Sequence, residues 1–342
     1  MKRHLNTLFI MTQGAYLHKD HESIVVEADG EERMRIPTHN ISSIVCFGNV
    51  LCSPFLLGHC AENKVAVSFL TETGRFLARV YGPTSGNVLL RREQYRKADD
   101  AIETCRIAKW MITGKIGNSR TQIRRFVREY YPQGLDAAED TIKVLDRCIR
   151  VLPKVDDVDE ARGYEGEAAH AYFSFFDHFI RQNGEAFRFR GRNRRPPLDR
   201  TNAMLSFMYT IMLNDIRGAL ETVGLDSSVG YLHRDRPGRP GLALDMMEEF
   251  RPWLADRVVL NLINRNEVSE DEFDFDESGA VYMNDESRKK LLTRYQERKK
   301  EELQHPFLDE TISLGITFFA QALLLARFIR GDIDAYPPLL VR

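Results

Sequence analysis

A glutamate at position 165 is the first residue whose surroundings suggest chemistry. It lies in the segment Gly163-Tyr164-Glu165-Gly166-Glu167-Ala168-Ala169. Helical spacing places Glu165 on the same face as Ala169 and Tyr172, so its carboxylate lies on or beside an apolar stripe. A carboxylate in such a place must be paired with a cation or coordinate a metal. These residues alone are equally consistent with a structural salt bridge and with a metal ligand.

A histidine followed by a cluster of acids forms the second candidate site. His233 ends the run Gly230-Tyr231-Leu232-His233, and after a loop of Arg, Pro and Gly a predicted helix carries Asp245, Glu248 and Glu249. Either glutamate can share a helix face with Asp245, because residues three or four apart are neighbours. A lone histidine is more often a satisfied structural group than a ligand. Together with Glu165, however, His233 and these acids would form a mixed oxygen and nitrogen site suited to Mg²⁺ or Mn²⁺.

Arginine is concentrated between the two candidate sites. Residues 181–200 contain seven arginines and two acids. The planar guanidinium group matches phosphate oxygens better than the lysine ammonium does. We therefore predict contact with phosphate or nucleic acid at Arg188, Arg190, Arg192, Arg194 and Arg195.

The elements that must position these residues differ between the two parts of the chain. The first ~80 residues alternate with period two, which predicts strands, with hairpins at Asp29-Gly30 and Thr73-Gly74 and a short helix from Ser53 to about Asn63. After Asn87 the spacing is helical. We predict an α+β fold with a β-sandwich-like N-terminal domain (residues 1–82), a linker (83–87) and a larger all-α domain (88–342). Predicted helices include two that carry Ile102–Ile112 and Ile123–Tyr130, and others at 165–181, 201–223, 242–263, 286–304 and 310–329.

Composition excludes several classes of protein. The 342 residues are 43% apolar and 29% charged with a net charge of -2, which argues against a disordered or collagen-like chain and shows no overall basic excess. Five cysteines without a C-x-x-C spacing argue against a zinc ribbon or a disulfide framework. No signal peptide or membrane span is recognisable. We expect a cytoplasmic protein that does not contact a membrane.

Three other patterns compete for a functional interpretation. Asp274, Asp276, Ser278 and Asp285 nearly match a calcium loop, but apolar alternation favours an exposed acidic hairpin around Ser278-Gly279. The spacings Glu167 to His170 and Glu302 to His305 match only half of a di-iron bundle motif. No phosphate-binding Gly-Lys-Ser/Thr loop, dinucleotide fingerprint or Gly-x-Ser-x-Gly elbow is present.

Several motifs, in order along essentially the whole chain, resemble the CRISPR-associated adaptation endonuclease and integrase family. They are Glu-Gly followed by Ala-Ala and Tyr-Phe, Arg194-Arg195-Pro196-Pro197 with Asn202, Leu205 and Tyr209, Gly-Leu-Asp, Gly-Tyr-Leu-His, and Leu-Ala-Leu-Asp-x-x-Glu-x-Phe-Arg-Pro. In its length and its Arg-Pro-Pro segment, the chain most resembles the family members of type I systems, and among these the members of subtype I-C.

The resemblance implies a function and a set of site residues. The family inserts short DNA fragments (spacers) into a CRISPR array, with a DNA 3′-hydroxyl attacking a target phosphodiester. The matching positions imply that Glu165, His233 and Glu248 are metal ligands and catalytic residues, with Asp245 in support and Glu249 as a surface residue. DNA would be contacted by the five arginines at 188–195 and by Arg234, Arg236 and Arg239, and oriented by Asn202 and Tyr209.

The resemblance also implies partners and a cofactor. The β domain would form a homodimer, and a small ferredoxin-like CRISPR adaptation subunit would bridge two dimers into a heterohexameric integration complex. The metal would be Mg²⁺ or Mn²⁺. Two alternatives remain open from the residues: a metal-dependent nuclease that acts on branched or single-stranded DNA without integration, and a non-catalytic DNA-binding scaffold.

Overall fold

The computed structural model of the protein describes residues 6–80, 82, 88–182 and 185–341. The chain divides into two compact units, Met1–Gly86 and Asn87–Arg342. The predicted linker at 83–87 falls outside the described residues. Among the helices of the described ranges, none has both the length and the apolar composition that crossing a bilayer requires.

The N-terminal unit contains two four-stranded sheets that share one apolar core. One sheet has the order β1-β5-β7-β8 and the other the order β4-β3-β2-β6. Buried side chains of both sheets, such as Leu17, Ile24 and Ile44, meet Leu56 of the helix α1 in this core. The elements are β1 (Asn6–Ile10), β2 (Tyr16–Asp20), β3 (Ser23–Ala28), β4 (Glu31–Pro37), β5 (Ile41–Phe47), β6 (Leu51–Cys52), α1 (Pro54–Glu62), β7 (Ala66–Leu70) and β8 (Phe76–Val80).

Local sequence rules account for this unit. Antiparallel pairing of β3 with β4 and of β7 with β8 confirms both predicted hairpins. The predicted start of α1 is also confirmed, since the Ser53 Oγ accepts the backbone N–H of Leu56 at 3.1 Å and Pro54 occupies the first helical position.

The C-terminal unit is helical but not all-α as predicted. Two short hairpins interrupt it, and the first lies where the acidic hairpin was expected around Ser278-Gly279. The helices are α2 (Val88–Asp99), α3 (Ala101–Tyr130), α4 (Asp136–Val151), α5 (Val158–Phe175), α6 (Arg200–Val223), α7 (Gly241–Phe250), α8 (Arg257–Asn264), α9 (Asp285–Lys300) and α10 (Leu314–Arg330); the hairpin strands are β9 (Phe273–Phe275), β10 (Val281–Met283), β11 (Glu302–Gln304) and β12 (Thr311–Ser313).

Several helix predictions need correction. The two helices expected between 102 and 130 are the single helix α3, and Ile102, assigned to its apolar face, is 76% exposed. Helix α5 begins seven residues before Glu165 because Asp157 caps it, accepting the backbone N–H groups of Asp159 and Glu160.

The helix expected at 242–263 is interrupted by a π-helical turn at Arg251–Asp256, where Pro252 has no N–H to donate. The helix expected to reach residue 304 ends at Lys300, because 302–304 pair as β11 with β12.

Candidate metal centre

Two of the predicted ligands meet at a buried lysine of α3. The Lys115 Nζ donates a short hydrogen bond to the Glu165 Oε1 of α5. The same Nζ lies 2.7 Å from the Glu248 Oε2 of α7, and Arg251 Nη1 lies 2.8 Å from the other oxygen of Glu248. Helix α3 packs against both α5 and α7, which brings these residues together. The result is a cluster of two carboxylates and two cations in which Lys115 and Glu248 are buried and Glu165 and Arg251 are partly exposed.

The electrostatics of this cluster favour an ionised Glu248 and a charged Lys115. Burial on its own would raise the pKa of Glu248, but the charges of Arg251 and Lys115, and then that of His233, lower it to about 2. Burial opposes the charge of Lys115, yet Glu248 and Glu165 raise the pKa of this lysine above its ordinary value. Glu248 is therefore a carboxylate, and Lys115 an ammonium, at neutral pH.

His233 is held by Asp245. Its Nδ1 lies 2.6 Å from the Asp245 Oδ1, and since a carboxylate only accepts hydrogen bonds, Nδ1 carries a proton; in the neutral imidazole the lone pair is then on Nε2. The two Asp245 oxygens also accept the backbone N–H groups of Tyr231, Leu232 and His233 at 2.6–2.9 Å. A side chain at Gly230 would come within 2.7 Å of the Asp245 Oδ2, so this turn requires glycine. These contacts support a role for Asp245 in orienting His233.

The predicted ligands lie near one another, but they do not form a single coordination site in the described ranges. In the ranges that the structure describes, no group of three or more His, Cys, Asp or Glu side chains is close enough together to hold a metal. Glu165 and Glu248 share Lys115, whereas His233 lines a separate pocket of about 280 Å³.

Most of the arginines at 188–195, for which we predict phosphate contact, line a pocket beside the cluster. A pocket of about 910 Å³ exposes Glu165 and Lys115, and its wall includes Arg251 and the side chains of Arg190, Arg192, Arg194 and Arg195. Arg188 does not line this pocket and lies 3.4 Å from Glu185. One wall of the pocket is therefore strongly basic and adjoins a carboxylate pair.

The second group of arginines lies near the first. Burial lowers the pKa of Arg239, and the positive charges of Arg236, Arg194 and Arg195 lower it further. Arg234 lines the pocket of His233 and pairs with Asp159 at 2.7 Å. A bound polyanion relieves the mutual repulsion of these positive charges, the same repulsion that lowers the pKa of Arg239.

The side chains of Asn202 and Tyr209 contact arginines of the pocket wall. The Asn202 Oδ1 accepts from Arg192 Nη1 at 2.6 Å, and its Nδ2 donates to the Gly191 carbonyl at 2.8 Å. The ring of Tyr209 lies under the guanidinium groups of Arg192 and Arg251, at 5.3 and 4.8 Å. Both side chains are buried, so their contacts support a role in placing arginines.

Sequence analysis missed three residues of this region. Lys115 was recognisable as a lysine on the apolar stripe of α3 that contains Ala108, Ile112 and Ser119. Arg251 stands one helical turn after Glu248, a spacing that favours an ion pair. Asp256 follows an apolar run and gave no signal of its role, which is to accept the hydroxyl protons of Tyr209 at 2.6 Å and Tyr172 at 2.9 Å.

The assignment of Glu249 to the surface was wrong. Its side chain is fully buried and accepts hydrogen bonds from Tyr336 Oη at 2.8 Å, from the Leu339 backbone N–H at 2.8 Å and from Gln321 Nε2 at 3.0 Å. Burial raises the pKa of Glu249 to about 7, against the opposing effect of these donors. The partners lie more than 70 residues away along the chain, beyond the reach of any local pattern.

The buried Asp256 makes stability depend on pH. Burial raises its pKa from 3.8 to about 6 in the folded protein, although both tyrosine hydroxyls oppose this rise. Between these values the unfolded chain has lost a proton that the folded chain keeps, so the free energy of unfolding falls as pH rises, by about 1.4 kcal/mol per pH unit. Urea unfolding between pH 4 and 7 should show a smaller fall for Asp256→Asn than for the wild type. Equal slopes would contradict the assignment.

Comparisons with known proteins identify the family of this chain. Residues 8–297 match the family model described as CRISPR associated protein Cas1. A curated relative from Chlorobaculum tepidum, named a CRISPR-associated endonuclease Cas1, is 55% identical over 344 residues and is covered fully, as is this chain. These findings confirm the family predicted from the motifs and support the predicted activity of an endonuclease and adaptation integrase.

Solved structures show the same fold. A casposase bound to integration product matches with a TM-score of 0.85 at 21% identity, covering 99% of this chain and 95% of that one. A chain of a Cas6-RT-Cas1–Cas2 complex matches with a TM-score of 0.81 at 22% identity, covering 99% of this chain and 36% of that one. The mixed α+β class is thereby confirmed. With a family model that spans most of its length and a full-length curated relative at 55% identity, the chain belongs to the Cas1 family.

Proposed function

We propose that this protein is a CRISPR adaptation integrase and metal-dependent DNA endonuclease. It joins the 3′-hydroxyl of a short DNA fragment to a phosphodiester of a CRISPR array. The observation that carries the proposal is the pair of carboxylates of the half-buried Glu165 and the buried Glu248, which holds the Lys115 ammonium at the edge of a pocket lined by arginines. A cation site beside a phosphate-binding wall is what phosphodiester chemistry requires.

The residues present fit a hard divalent cation. The pair already binds the Lys115 ammonium between its oxygens, and the second oxygen of Glu248 lies 2.8 Å from Arg251 Nη1, so the carboxylates are arranged to face positive charge. Carboxylate oxygens with one imidazole nitrogen suit Mg²⁺ or Mn²⁺. Glu165, Glu248 and the Nε2 of His233 would hold the metal, and Asp245 would keep the imidazole in the required tautomer.

The chain's own residues supply charge and position. When bound, the metal polarises the scissile phosphodiester and neutralises developing negative charge. Arg251, fixed by Glu248 and by the ring of Tyr209, adds a positive charge at the same place. Arg192, Arg194 and Arg195 hold DNA phosphates along the pocket wall. Because the attacking hydroxyl belongs to the incoming DNA, the reaction needs no protein nucleophile.

The proposed assembly assigns one role to each unit. Residues 1–82 form a homodimer, and residues 88–342 bind DNA and the metal. A small ferredoxin-like adaptation subunit bridges two dimers into a heterohexamer. The family assignment supports these partners, and the fold is shared with a chain solved in a complex that contains Cas1 and Cas2.

The proposal predicts metal-dependent strand transfer that depends on Glu165 and His233. A labelled duplex with a free 3′-hydroxyl is incubated with supercoiled plasmid and Mn²⁺, with and without chelator. Loss of a metal ligand should reduce joining by more than about 100-fold in Glu165→Ala and His233→Ala. Glu167→Ala is the matched control, since Glu167 is two positions away on α5 and pairs instead with Arg147.

The assay separates the alternatives once each variant is shown to be folded. Metal-dependent nicking without joining, even after the adaptation subunit is added, would support a nuclease that does not integrate. No metal-dependent reaction under any of these conditions would support a DNA-binding scaffold. Joining that survives in folded Glu165→Ala would contradict the proposed metal centre.

The arginine wall predicts a salt dependence. Each arginine that neutralises a phosphate releases counterions, so Arg194→Ala and Arg195→Ala should each lower the slope of log affinity against log salt by about 1. Arg330→Ala is the control, because this arginine lies at the end of α10 and pairs with Asp332 at 2.7 Å. Fluorescence anisotropy with duplex DNA at several salt concentrations measures the slope. Equal slopes for all three variants and the wild type would contradict the assignment.

A further inference from the structure

Residues 336–341, here called the C-terminal segment, are held by side chains of three helices. Glu249 of α7 binds the Tyr336 hydroxyl and the Leu339 N–H, each at 2.8 Å. Asn118 of α3 donates to the Leu339 carbonyl at 2.7 Å and accepts from the Val341 N–H at 2.9 Å. Gln321 of α10 donates to the Tyr336 hydroxyl at 2.7 Å. The segment is thus fixed by specific polar contacts and not by apolar packing alone.

The surface of α3 is shaped to receive this segment. A Cβ at Gly114 would lie 2.7 Å from the Glu249 Cγ and 3.3 Å from the Pro338 Cβ. A Cβ at Gly117 would lie 2.5 Å from the Leu340 Cδ2. Glycine is unfavourable inside a helix, so its presence at both close contacts indicates that the approach of the segment matters.

The same short stretches of α3 and α7 contact the C-terminal segment and contribute residues to the proposed metal centre. Lys115 and Asn118 are one turn apart on α3, and Glu248 and Glu249 are consecutive on α7. Glu248 contacts Lys115 at the centre, whereas Glu249 contacts the segment. Because the two glutamates share a peptide unit, a shift of the backbone at Glu249 also moves the backbone at Glu248.

The backbone hydrogen-bonding pattern changes at the end of α7, where the π-helical turn begins at Arg251. Pro252, four residues after Glu248, has no N–H to donate to the Glu248 carbonyl. The next carbonyl, that of Glu249, accepts from Asn118 Nδ2 at 2.7 Å and from Trp253 Nε1 at 2.9 Å. Side chains of α3 and of the turn itself thus add restraint to the backbone that carries Glu248 and Glu249.

We infer that the C-terminal segment positions Glu248 for metal binding, through the hydrogen bonds of Tyr336 and Leu339 to Glu249. Tyr336 is a positioning residue in this account, since it touches neither metal nor DNA. The inference rests on the proposed function, because it assumes that Glu248 is a ligand. It predicts that loosening the segment weakens metal affinity while leaving the fold intact.

The test is Mn²⁺ binding to the full-length protein, followed by the electron paramagnetic resonance signal of free Mn²⁺. Tyr336→Phe removes one hydroxyl and should weaken the affinity for Mn²⁺ by about tenfold, the lower end of what changes outside the ligand shell produce. Tyr295→Phe is the matched control, because this tyrosine is also fully buried and its hydroxyl lies 2.8 Å from a carboxylate oxygen, that of Asp215. Circular dichroism checks that each variant is folded.

A second variant perturbs the same contact without removing a donor. Gly114→Ala strengthens α3 locally but pushes against Glu249 and Pro338, so it should also weaken Mn²⁺ binding. Gly58→Ala, at a helical glycine with open space around it, is its control. For both test variants, strand transfer should return to the wild-type rate at saturating Mn²⁺, which a general loss of folding would not allow.

The outcomes distinguish this inference from the proposed function. Wild-type Mn²⁺ affinity in folded Tyr336→Phe and Gly114→Ala, or equal weakening in Tyr295→Phe, would overturn the inference alone. Wild-type protein whose Mn²⁺ binding is absent, or is unchanged by Glu165→Gln, would overturn the proposed metal centre and this inference with it.

Discussion

The helical unit depends on the compensation of a pair of neighbouring negative charges. Glu165 and Glu248 come from different helices, and the buried Glu248 would cost several kcal/mol without a cation beside it. Lys115 and Arg251 supply the compensation from α3 and from the turn that follows α7. The long, uninterrupted α3 is what allows one lysine to reach both carboxylates, so the packing of α3, α5 and α7 and the formation of the site are a single requirement.

Other buried carboxylates of the same unit are held in a different way. Asp245 accepts three backbone N–H groups, Asp256 accepts two tyrosine hydroxyls, and Glu249 accepts donors from α10 and the C-terminal segment. These donors are neutral and leave little capacity for a metal. Glu165 and Glu248 share Lys115, and Glu165 and Lys115 line the pocket, whereas Asp245, Asp256 and Glu249 do not line it. Cation pairing marks a candidate ligand only beside this pocket, since Glu272, which does not line it, also pairs with a lysine, Lys290, at 2.6 Å.

Local rules explain which parts could be predicted from the sequence. The hairpins at Asp29-Gly30 and Thr73-Gly74 and the start of α1 depend on residues close together in the chain, and these predictions are confirmed. The motifs around Glu165, His233 and Glu248 identified the family and located the candidate site. The roles of Lys115 and Glu249 were not predicted, because their partners are 50 or more residues away along the chain and spacing rules carry no information at that separation. The dimer, the adaptation subunit and the choice between Mg²⁺ and Mn²⁺ stay proposals.

The most direct test of the account is to locate Mn²⁺ by anomalous diffraction from crystals of the full-length protein. The account predicts one strong anomalous peak within bonding distance of Glu165, Glu248 and the Nε2 of His233, with the Lys115 ammonium moved out from between the two carboxylates. A peak elsewhere, or no peak at a saturating concentration with Lys115 still bridging Glu165 and Glu248, would contradict it.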